Sequence, residues 1–202
     1  MITKETLKEI IILQKEALNK SETGISREEE NEVTILDSFA LIITGVRRCG
    51  KSTFLNQLIK KQKKAYYLNL EDPRLEGFDL ADFNKIEIIM KEIYGEGGVY
   101  FFDEIQNIPK WEKFIRYLID KKEKVVITGS NASILSREMG TKLTGRHIPI
   151  EMFPFSFKEF LNIKKLDDSL NSFKEYLYGG GFPEFLKKEN STILHELLSD
   201  IV

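Results

Sequence analysis

The order of apolar and polar positions divides the chain into a helical start, a polar connector and a long alternating region. One face of a helix over residues 3–19 would carry five apolar side chains, Leu7, Ile10, Ile11, Ala17 and Leu18. The next stretch, SETGISREEENE (21–32), is polar and dense in acid, which is typical of a solvated connector. The pattern therefore predicts one amphipathic helix that is joined by a linker to a larger domain.

From Phe39 onward, short apolar runs alternate with amphipathic segments. The apolar runs predict five strands: FALIITG (39–45), AYYLNL (65–70), GVYFFDE (98–104), KVVITGS (124–130) and HIPIEMF (147–153). The intervening segments predict helices at 51–61, 82–94, 111–121 and 132–139. Strands and helices in alternation favour an α/β fold, in which right-handed crossovers build a parallel sheet with helices on both faces.

Beyond the fifth strand the pattern becomes helical. SFKEF predicts a capping box, with Ser156 as the cap and Glu159 returning the hydrogen bond. Three glycines at 179–181 and Pro183 then interrupt the helical pattern, and a last helix is predicted from about Thr192. The chain ends inside that helix, so we expect a protein that is truncated before a further domain.

Composition mainly excludes certain partners, disulfide bonds and membrane spans. A net charge of −2 over 202 residues does not point to nucleic acid or an anionic membrane as a partner. The single cysteine excludes an internal disulfide. The amino terminus lacks the apolar run of a signal peptide, and no apolar stretch reaches the roughly 18 residues of a membrane span. We therefore expect a cytoplasmic protein with no membrane partner.

The stretch GVRRCGKST, residues 45–53, has the glycine, lysine and hydroxyl spacing of a phosphate-binding loop, and it lies between a strand and a helix as that loop requires. Gly45 and Gly50 allow a tight turn whose N–H groups face phosphate oxygens, next to the positive end of a helix. Lys51 is predicted to reach the β- and γ-phosphates, and the Ser52 hydroxyl to ligate Mg²⁺. The predicted nucleotide-binding residues here are Gly45, Arg48, Cys49, Gly50, Lys51, Ser52 and Thr53.

The two arginines and the cysteine inside this loop have alternative interpretations. Arg47 and Arg48 either contact phosphate or a partner, or they form an exposed basic tip, and we favour the exposed tip. Cys49 is interpreted as a small residue that the loop tolerates rather than as a redox sensor.

Asp103 and Glu104 follow the apolar run VYFF (99–102), at the strand end where ligands bind in parallel sheets. Asp103 is predicted to hold Mg²⁺ through water, and Glu104 to orient and activate the attacking water. The alternative is a strand that ends in ordinary surface acids. A second acid directly after the metal-binding acid favours hydrolysis over phosphoryl transfer to a small molecule.

Four further polar positions have a functional and a structural interpretation. Ser130 and Asn131 follow the fourth strand, where they either hold the attacking water or cap the next helix. Asn69 ends the second strand, and it either hydrogen-bonds Glu104 to keep it inactive or simply terminates the strand. Arg146 is either a finger that stabilises charge in phosphoryl transfer or a surface ion-pair partner.

Together these motifs resemble the AAA-type P-loop ATPases of bacteria and archaea that carry an uncharacterised carboxyl-terminal domain. Seven stretches match in order: GVRRCGKST, YLNLEDPR, VYFFDEIQN, VITGSN, LTGR, PFSFKEF and YGGGFPEF. The resemblance covers residues 24–202. It implies an ATPase core whose five-stranded sheet has the order 5-1-4-3-2, with the P-loop after strand one.

The resemblance also implies a division of the chain and further site residues. Residues 1–23 would be an N-terminal helix and linker, 24–154 the P-loop ATPase core, and 155–202 a helical lid. Gly181 and Pro183 would lie on that lid near the adenine or the β-phosphate, and Arg146, in LTGR, would act on ATP. Members of the family extend well beyond this chain's end, so a protein or DNA partner would bind through a missing carboxyl-terminal domain.

The function that we expect is Mg²⁺-dependent ATP hydrolysis coupled to conformational change in a partner. Two alternatives stay open. One is a nucleotide-held switch or scaffold with little turnover, and the other is an ATP-driven module that remodels DNA or protein. A homo-oligomer is expected if Arg146 acts on the ATP of a neighbouring subunit.

Overall fold

The computed structural model describes residues 2–28, 33–130, 143 and 145–188, and a sheet of five parallel strands lies at its centre. The strands are β1 (Ala40–Gly45), β2 (Ala65–Asn69), β3 (Val99–Asp103), β4 (Val125–Gly129) and β5 (His147–Met152). Their order across the sheet is β2-β3-β4-β1-β5, and all four pairings are parallel. The predicted α/β fold class, the five strands and the order 5-1-4-3-2 are confirmed.

Seven α-helices occur within the described residues, and the first four of them cover the two faces of the sheet. They are α1 (Lys4–Lys20), α2 (Lys51–Lys60), α3 (Leu80–Tyr94), α4 (Trp111–Asp120), α5 (Phe157–Lys164), α6 (Leu170–Gly179) and α7 (Pro183–Lys188). The predicted capping box begins α5, where the Ser156 side chain accepts from the Glu159 N–H and Glu159 returns the bond. The predicted helix at 132–139 and the one from about Thr192 lie outside the described residues.

Alternate side chains of the strands feed two apolar layers, because successive residues of a strand point to opposite faces. One layer joins Ile42, Phe102 and Ile127 to the buried faces of α1, α3 and α4. The other joins Ile43 and Phe101 to the buried face of α2. Burial on both faces explains why the central strands read as continuous apolar runs rather than as alternating ones.

Helix α1 packs directly on the core. Its buried stripe, Leu7, Ile10 and Ile11, belongs to the same apolar layer as the side chains of β2 and α3. The proposed division of the chain at residues 23 and 154 stays a prediction. None of the helices in the described ranges is both long and apolar enough to cross a membrane.

Because all five strands are parallel, their carboxyl ends lie along one edge of the sheet. Gly45, Asn69, Asp103 and Gly129 end neighbouring strands at that edge. This arrangement brings together motifs that are up to 84 residues apart in the chain, and ligands of open α/β sheets bind at such edges.

Candidate nucleotide-binding site

The loop between β1 and α2 requires glycine at both ends. Gly45 has φ +150°, and a Cβ there would lie 2.3 Å from the Met152 carbonyl oxygen and 3.0 Å from the Cys49 sulfur. Gly50 has φ +105° and precedes α2 as its N-cap residue. A side chain is disfavoured in that left-handed region, so the two glycines allow the loop to reverse close to the neighbouring backbone.

Lys51 begins α2, and its side chain turns back over the loop. The ammonium group donates hydrogen bonds to the carbonyl oxygens of Gly45 and Val46, each at 3.1 Å, and the residue is 4% exposed. Ser52 and Thr53 follow it in the first turn and are exposed. A lysine charge, two hydroxyls and a helix amino terminus therefore meet at one point, which suits a polyphosphate.

A cavity of about 350 Å³ opens over this loop. Its walls come from the loop and the start of α2, from Glu104, and from α7, whose contributions are Pro183, Glu184 and Lys187. Arg47 and Arg48 line the same cavity, and the Arg48 guanidinium approaches Glu184 at 3.4 Å. Helix α7, the last of the carboxyl-terminal helices α5 to α7, therefore contributes one wall of the candidate site.

Cys49 differs from the other loop residues because its side chain points into the protein. The thiol is fully buried in the apolar layer against α2, and burial raises its pKa. Its carbonyl accepts a hydrogen bond from Arg27 at 3.1 Å. Cys49 can thus contribute to a nucleotide site only through its backbone, and its side chain is a core residue.

Asp103 ends β3 beside the loop and is 2% exposed. Burial raises the pKa of its carboxyl group, and hydrogen bonds from the Thr128 and Ser52 hydroxyls act in the opposite direction. The two residues that were predicted to hold Mg²⁺, Ser52 and Asp103, are therefore in direct contact.

Glu104 has an unusual backbone and an anchored carboxylate. Its φ of +53° and ψ of +52° lie in the left-handed region, which is uncommon for a residue with a side chain and marks local strain. Its N–H donates to Thr128 Oγ1 at 2.9 Å. One carboxylate oxygen, Oε2, accepts from Gln106 Nε2 at 2.5 Å and from the Ser130 N–H at 3.1 Å.

The predicted polar residues around Glu104 have different placements. Ser130 is at the site, where its Oγ accepts from Gln106 at 3.3 Å and its N–H contacts Glu104. The Asn69 side chain accepts from the Glu71 N–H at 2.8 Å, so it terminates β2. Asn131 lies outside the described residues.

Arg146 lies at the opposite edge of the sheet from the P-loop. It directly precedes β5, and its carbonyl accepts from the Ala40 N–H at 3.1 Å, at the start of β1. The six residues of β1 separate it from Gly45 by roughly 17–20 Å. Its guanidinium pairs with Asp120 at 2.7 Å, so contact with a phosphate on its own P-loop does not fit this geometry.

The two predicted lid residues also have different placements. Pro183 lines the cavity over the P-loop. Gly181 instead packs on the backbone of Phe155, where a Cβ would come within 2.1 Å of the carbonyl oxygen. The Phe155 N–H donates to the Gly181 carbonyl at 2.8 Å. This hydrogen bond joins the turn before α7 to the segment that follows β5.

A smaller cavity of about 50 Å³ adjoins the first one. Four residues border both cavities: Gly50, Thr53, Pro183 and Lys187. The rest of the smaller wall is Arg27 together with Gly24, Ile25, Phe155 and Ile163. Its lining comes from the linker before β1, the P-loop and the carboxyl-terminal helices.

Sequence reasoning missed several site residues. Thr128 was noticed only as part of a strand end, and Gln106 was not considered. Glu184 and Lys187 lie on a helix whose position relative to the P-loop no local pattern predicts. Arg27 lies in the acidic stretch that was interpreted as a solvated connector, yet it is 4% exposed. The one local signal was a single arginine among five acidic residues.

Comparisons with known proteins identify the family of this chain. A family model described as AAA domain matches residues 37–161. An uncharacterized protein of Methanocaldococcus jannaschii is 35% identical over 99% of this chain and 48% of its own length. An uncharacterized protein of Haemophilus influenzae is 36% identical over 81% of this chain and 45% of its own length. The chain thus spans about half the length of these relatives.

Among solved structures, AMPPCP-bound DnaA from Aquifex aeolicus aligns with 92% of this chain and 61% of its own, at 13% identity and a TM-score of 0.49. The family assignment rests on the sequence match, which spans the P-loop, Asp103, Glu104 and all five strands. The chain belongs to the AAA domain family, and its parallel sheet with the glycine-rich loop after β1 is the α/β fold of a P-loop protein.

Proposed function

We propose that this chain binds Mg-ATP over the loop at residues 45–53 and hydrolyses it. The single observation that carries the proposal is the cavity whose lining includes Lys51, Ser52 and Glu104, with Asp103 bonded to Ser52 behind it. Nucleotide hydrolysis by a P-loop requires a cation for the phosphates, a hydroxyl that ligates the metal, and carboxylates for the metal and the attacking water.

The phosphates would be held by the loop N–H groups, the amino terminus of α2 and Lys51. Lys51 now donates to two carbonyl oxygens of its own loop, so its charge is already positioned at the start of α2. Phosphate oxygens would replace those carbonyls as acceptors. The electrostatic gain is large because the ammonium group is buried.

Magnesium would be held by Ser52 directly and by Asp103 through water. Within the described residues, no group of three or more His, Cys, Asp or Glu side chains offers a complete metal site. This suits Mg²⁺, which keeps several waters and commonly binds through one or two protein oxygens together with substrate phosphates. The ion would supply charge neutralisation at the phosphates.

Glu104 would accept the proton of the attacking water. In the present geometry its Oε2 is engaged by Gln106 and by the Ser130 N–H. These donors fix the carboxylate near the cavity, and they occupy an oxygen that could otherwise accept the proton of water. We infer that Gln106 must release Glu104 for full activity, which would give the site a resting state.

The adenine would lie toward the smaller cavity, where Ile25, Phe155 and Ile163 offer apolar contacts. About 50 Å³ holds one or two waters and not a purine ring. Base binding there therefore requires the carboxyl-terminal helices to move outward, which couples nucleotide occupancy to their position. That movement is how hydrolysis would reach a protein or DNA partner.

The experiment that tests hydrolysis is the Glu104→Gln substitution, with ATP affinity and phosphate release measured side by side. We expect normal ATP binding and a loss of turnover by a factor of about 10² or more, because the general base is removed. Gln106→Ala provides the matched comparison, since it frees Glu104 and is expected to keep or raise turnover. Equal turnover in Glu104→Gln and the unmodified protein would favour the low-turnover switch or scaffold.

A further inference from the structure

Arg27 connects five segments of the chain from a buried position. Its guanidinium donates to the Cys49 carbonyl at 3.1 Å and to the Phe153 carbonyl at 2.7 Å. Its Nε lies 2.9 Å from Glu159 Oε1, and its carbon lies 4.9 Å from the centre of the Phe155 ring. One side chain therefore contacts five segments: the linker, the P-loop, the end of β5, the turn after it and α5.

The contact with Cys49 is the one that concerns the site. Cys49 directly precedes Gly50, the N-cap residue of α2, and Lys51. A Cβ on Gly50 would lie 3.6 Å from Arg27 Nη1, so the guanidinium lies against the final turn of the loop. A guanidinium presents its donors in a rigid plane, and this fixes the Cys49 carbonyl relative to β5 and α5.

Glu159 extends the connection to the carboxyl-terminal helices. Its Oε1 accepts from the Glu28 N–H at 3.0 Å, and its Oε2 accepts from the Ser156 N–H at 2.9 Å to complete the capping box. Phe155, under the guanidinium, is bonded to Gly181 through its N–H and to the Tyr176 hydroxyl through its carbonyl. Movement of α5, α6 or α7 therefore acts on the partners of Arg27.

Burial makes this ion pair sensitive to the loss of either member. The side chains of Arg27 and Glu159 are 4% and 3% exposed. A buried charge whose partner is removed is strongly destabilising, so the remaining residue must rearrange toward water. Such a rearrangement of Arg27 would disturb its hydrogen bond to the Cys49 carbonyl.

We propose that Arg27, paired with Glu159, is a positioning residue for the phosphate loop and links ATP affinity to the docking of the carboxyl-terminal helices. This inference rests on the proposed ATP site. It assigns a role in the site to a residue of the linker that contacts no phosphate. By linkage, the effect of ATP binding on helix docking equals, in free energy, the effect of docking on ATP affinity.

The test uses Arg27→Lys and Glu159→Gln, with Asp82→Asn as the matched control. Asp82 is also a buried acid at the third position of a capping box, and it pairs with Lys85 at 2.7 Å, but it lies on α3. Gln at 159 keeps the size and capping ability of Glu, so that variant is expected to fold. We would measure three quantities for each protein: its ATP affinity, its stability to denaturant, and the rate at which a thiol reagent labels Cys49.

Cys49 labelling reports on the loop without any nucleotide, since this is the only cysteine and it is buried. We expect both pair variants to bind ATP about tenfold more weakly and to label faster, because a charge-assisted hydrogen bond to the loop is lost. Saturating ATP should restore protection. Asp82→Asn should lose stability with unchanged ATP affinity and unchanged labelling.

Wild-type ATP affinity and labelling in folded Arg27→Lys and Glu159→Gln would overturn the inference, as would equally fast labelling in the Asp82→Asn control. Lys51→Ala separates this failure from a failure of the ATP site. If Lys51→Ala also binds ATP normally, the proposed site is wrong. If only Lys51→Ala loses binding, the site stands and Arg27 is structural.

Discussion

At the residue scale, the Thr128 hydroxyl contacts two groups of the site. It is fully buried at the end of β4, and its hydroxyl donates to Asp103 while accepting from the Glu104 N–H at 2.9 Å. One oxygen therefore holds the metal-binding acid and the strained backbone of the proposed base. It also opposes the effect of burial on the Asp103 pKa.

Thr128→Val is expected to destabilise the fold by about 1–3 kcal/mol, because the Glu104 N–H is left without its partner. It should also raise the Mg²⁺ concentration needed for hydrolysis, since the pKa of Asp103 rises further when the Thr128 hydrogen bond is lost. Thr128→Ser keeps the hydroxyl and serves as the control. Unfolding in denaturant and phosphate release against Mg²⁺ concentration check both effects, and a magnesium requirement equal in Val, Ser and Thr would contradict this role.

Motif spacing identifies residues whose arrangement depends only on neighbouring residues in the chain. Gly45, Gly50, Lys51 and Ser52 lie in one loop, so their arrangement is set by neighbours in the chain. Arg27 could not be predicted in this way. Its partners Phe153 and Glu159 lie 126 and 132 residues away, and an arginine in an acidic stretch has the same pattern whether it is solvated or buried.

At the level of elements, the carboxyl-terminal helices α5 to α7 are attached to the core through contacts that include the Phe155 backbone. Gly181 is one of them, since its backbone touches that of Phe155. Pro183 and Glu184 then place α7 over the P-loop. The proposed movement on ATP binding must therefore pivot near this attachment.

Gly181→Ala is expected to detach α7, because the added methyl group would lie 2.1 Å from the Phe155 carbonyl oxygen. Backbone atoms cannot yield as a side chain can, so the cost should exceed about 2 kcal/mol, above the roughly 1–2 kcal/mol of a side chain at a left-handed backbone position. Gly77→Ala, with φ +79° and open space around the methyl, measures backbone strain alone. A Gly181→Ala protein that is as stable as Gly77→Ala, with unchanged ATP affinity, would show that this contact is unimportant.

Strands and helices were predictable because burial on both faces leaves continuous apolar runs in β1, β3 and β4, while the helices keep one apolar face. The strand order came from the family resemblance, since no residue pattern specifies which strands pair. The position of Arg146 at the edge opposite the P-loop was not predicted, although the strand pattern contains it. It precedes the fifth strand, and parallel strands all begin at the edge opposite the P-loop.

For the whole molecule, the placement of Arg146 bears on assembly. It lies at the amino edge of the sheet with its guanidinium on Asp120, and both side chains are partly exposed. If this arginine acts on ATP, it must act on a neighbouring subunit. The chain also spans only about half the length of its relatives, so the partner of the whole protein stays a proposal.

An assembly of this kind predicts that specific activity rises with protein concentration. Arg146→Ala should lower turnover by a factor of about 10³ or more, which is the range of an arginine finger. Mixing Arg146→Ala with Glu104→Gln subunits should restore part of the activity, because one protein supplies the base and the other the arginine. Unchanged turnover in Arg146→Ala, at all protein concentrations, would reduce this residue to a surface ion pair.

The central claim is that residues 45–53 hold the phosphates of ATP, and an ATP titration of Lys51→Ala tests it most directly. Removal of the buried ammonium group deletes the charge nearest the β- and γ-phosphates, so we expect ATP affinity to fall at least a hundredfold while the protein stays folded. Lys60→Ala, at the other end of the same helix, is the control and should bind ATP normally. Equal ATP affinity in Lys51→Ala, Lys60→Ala and the unmodified protein would contradict the account.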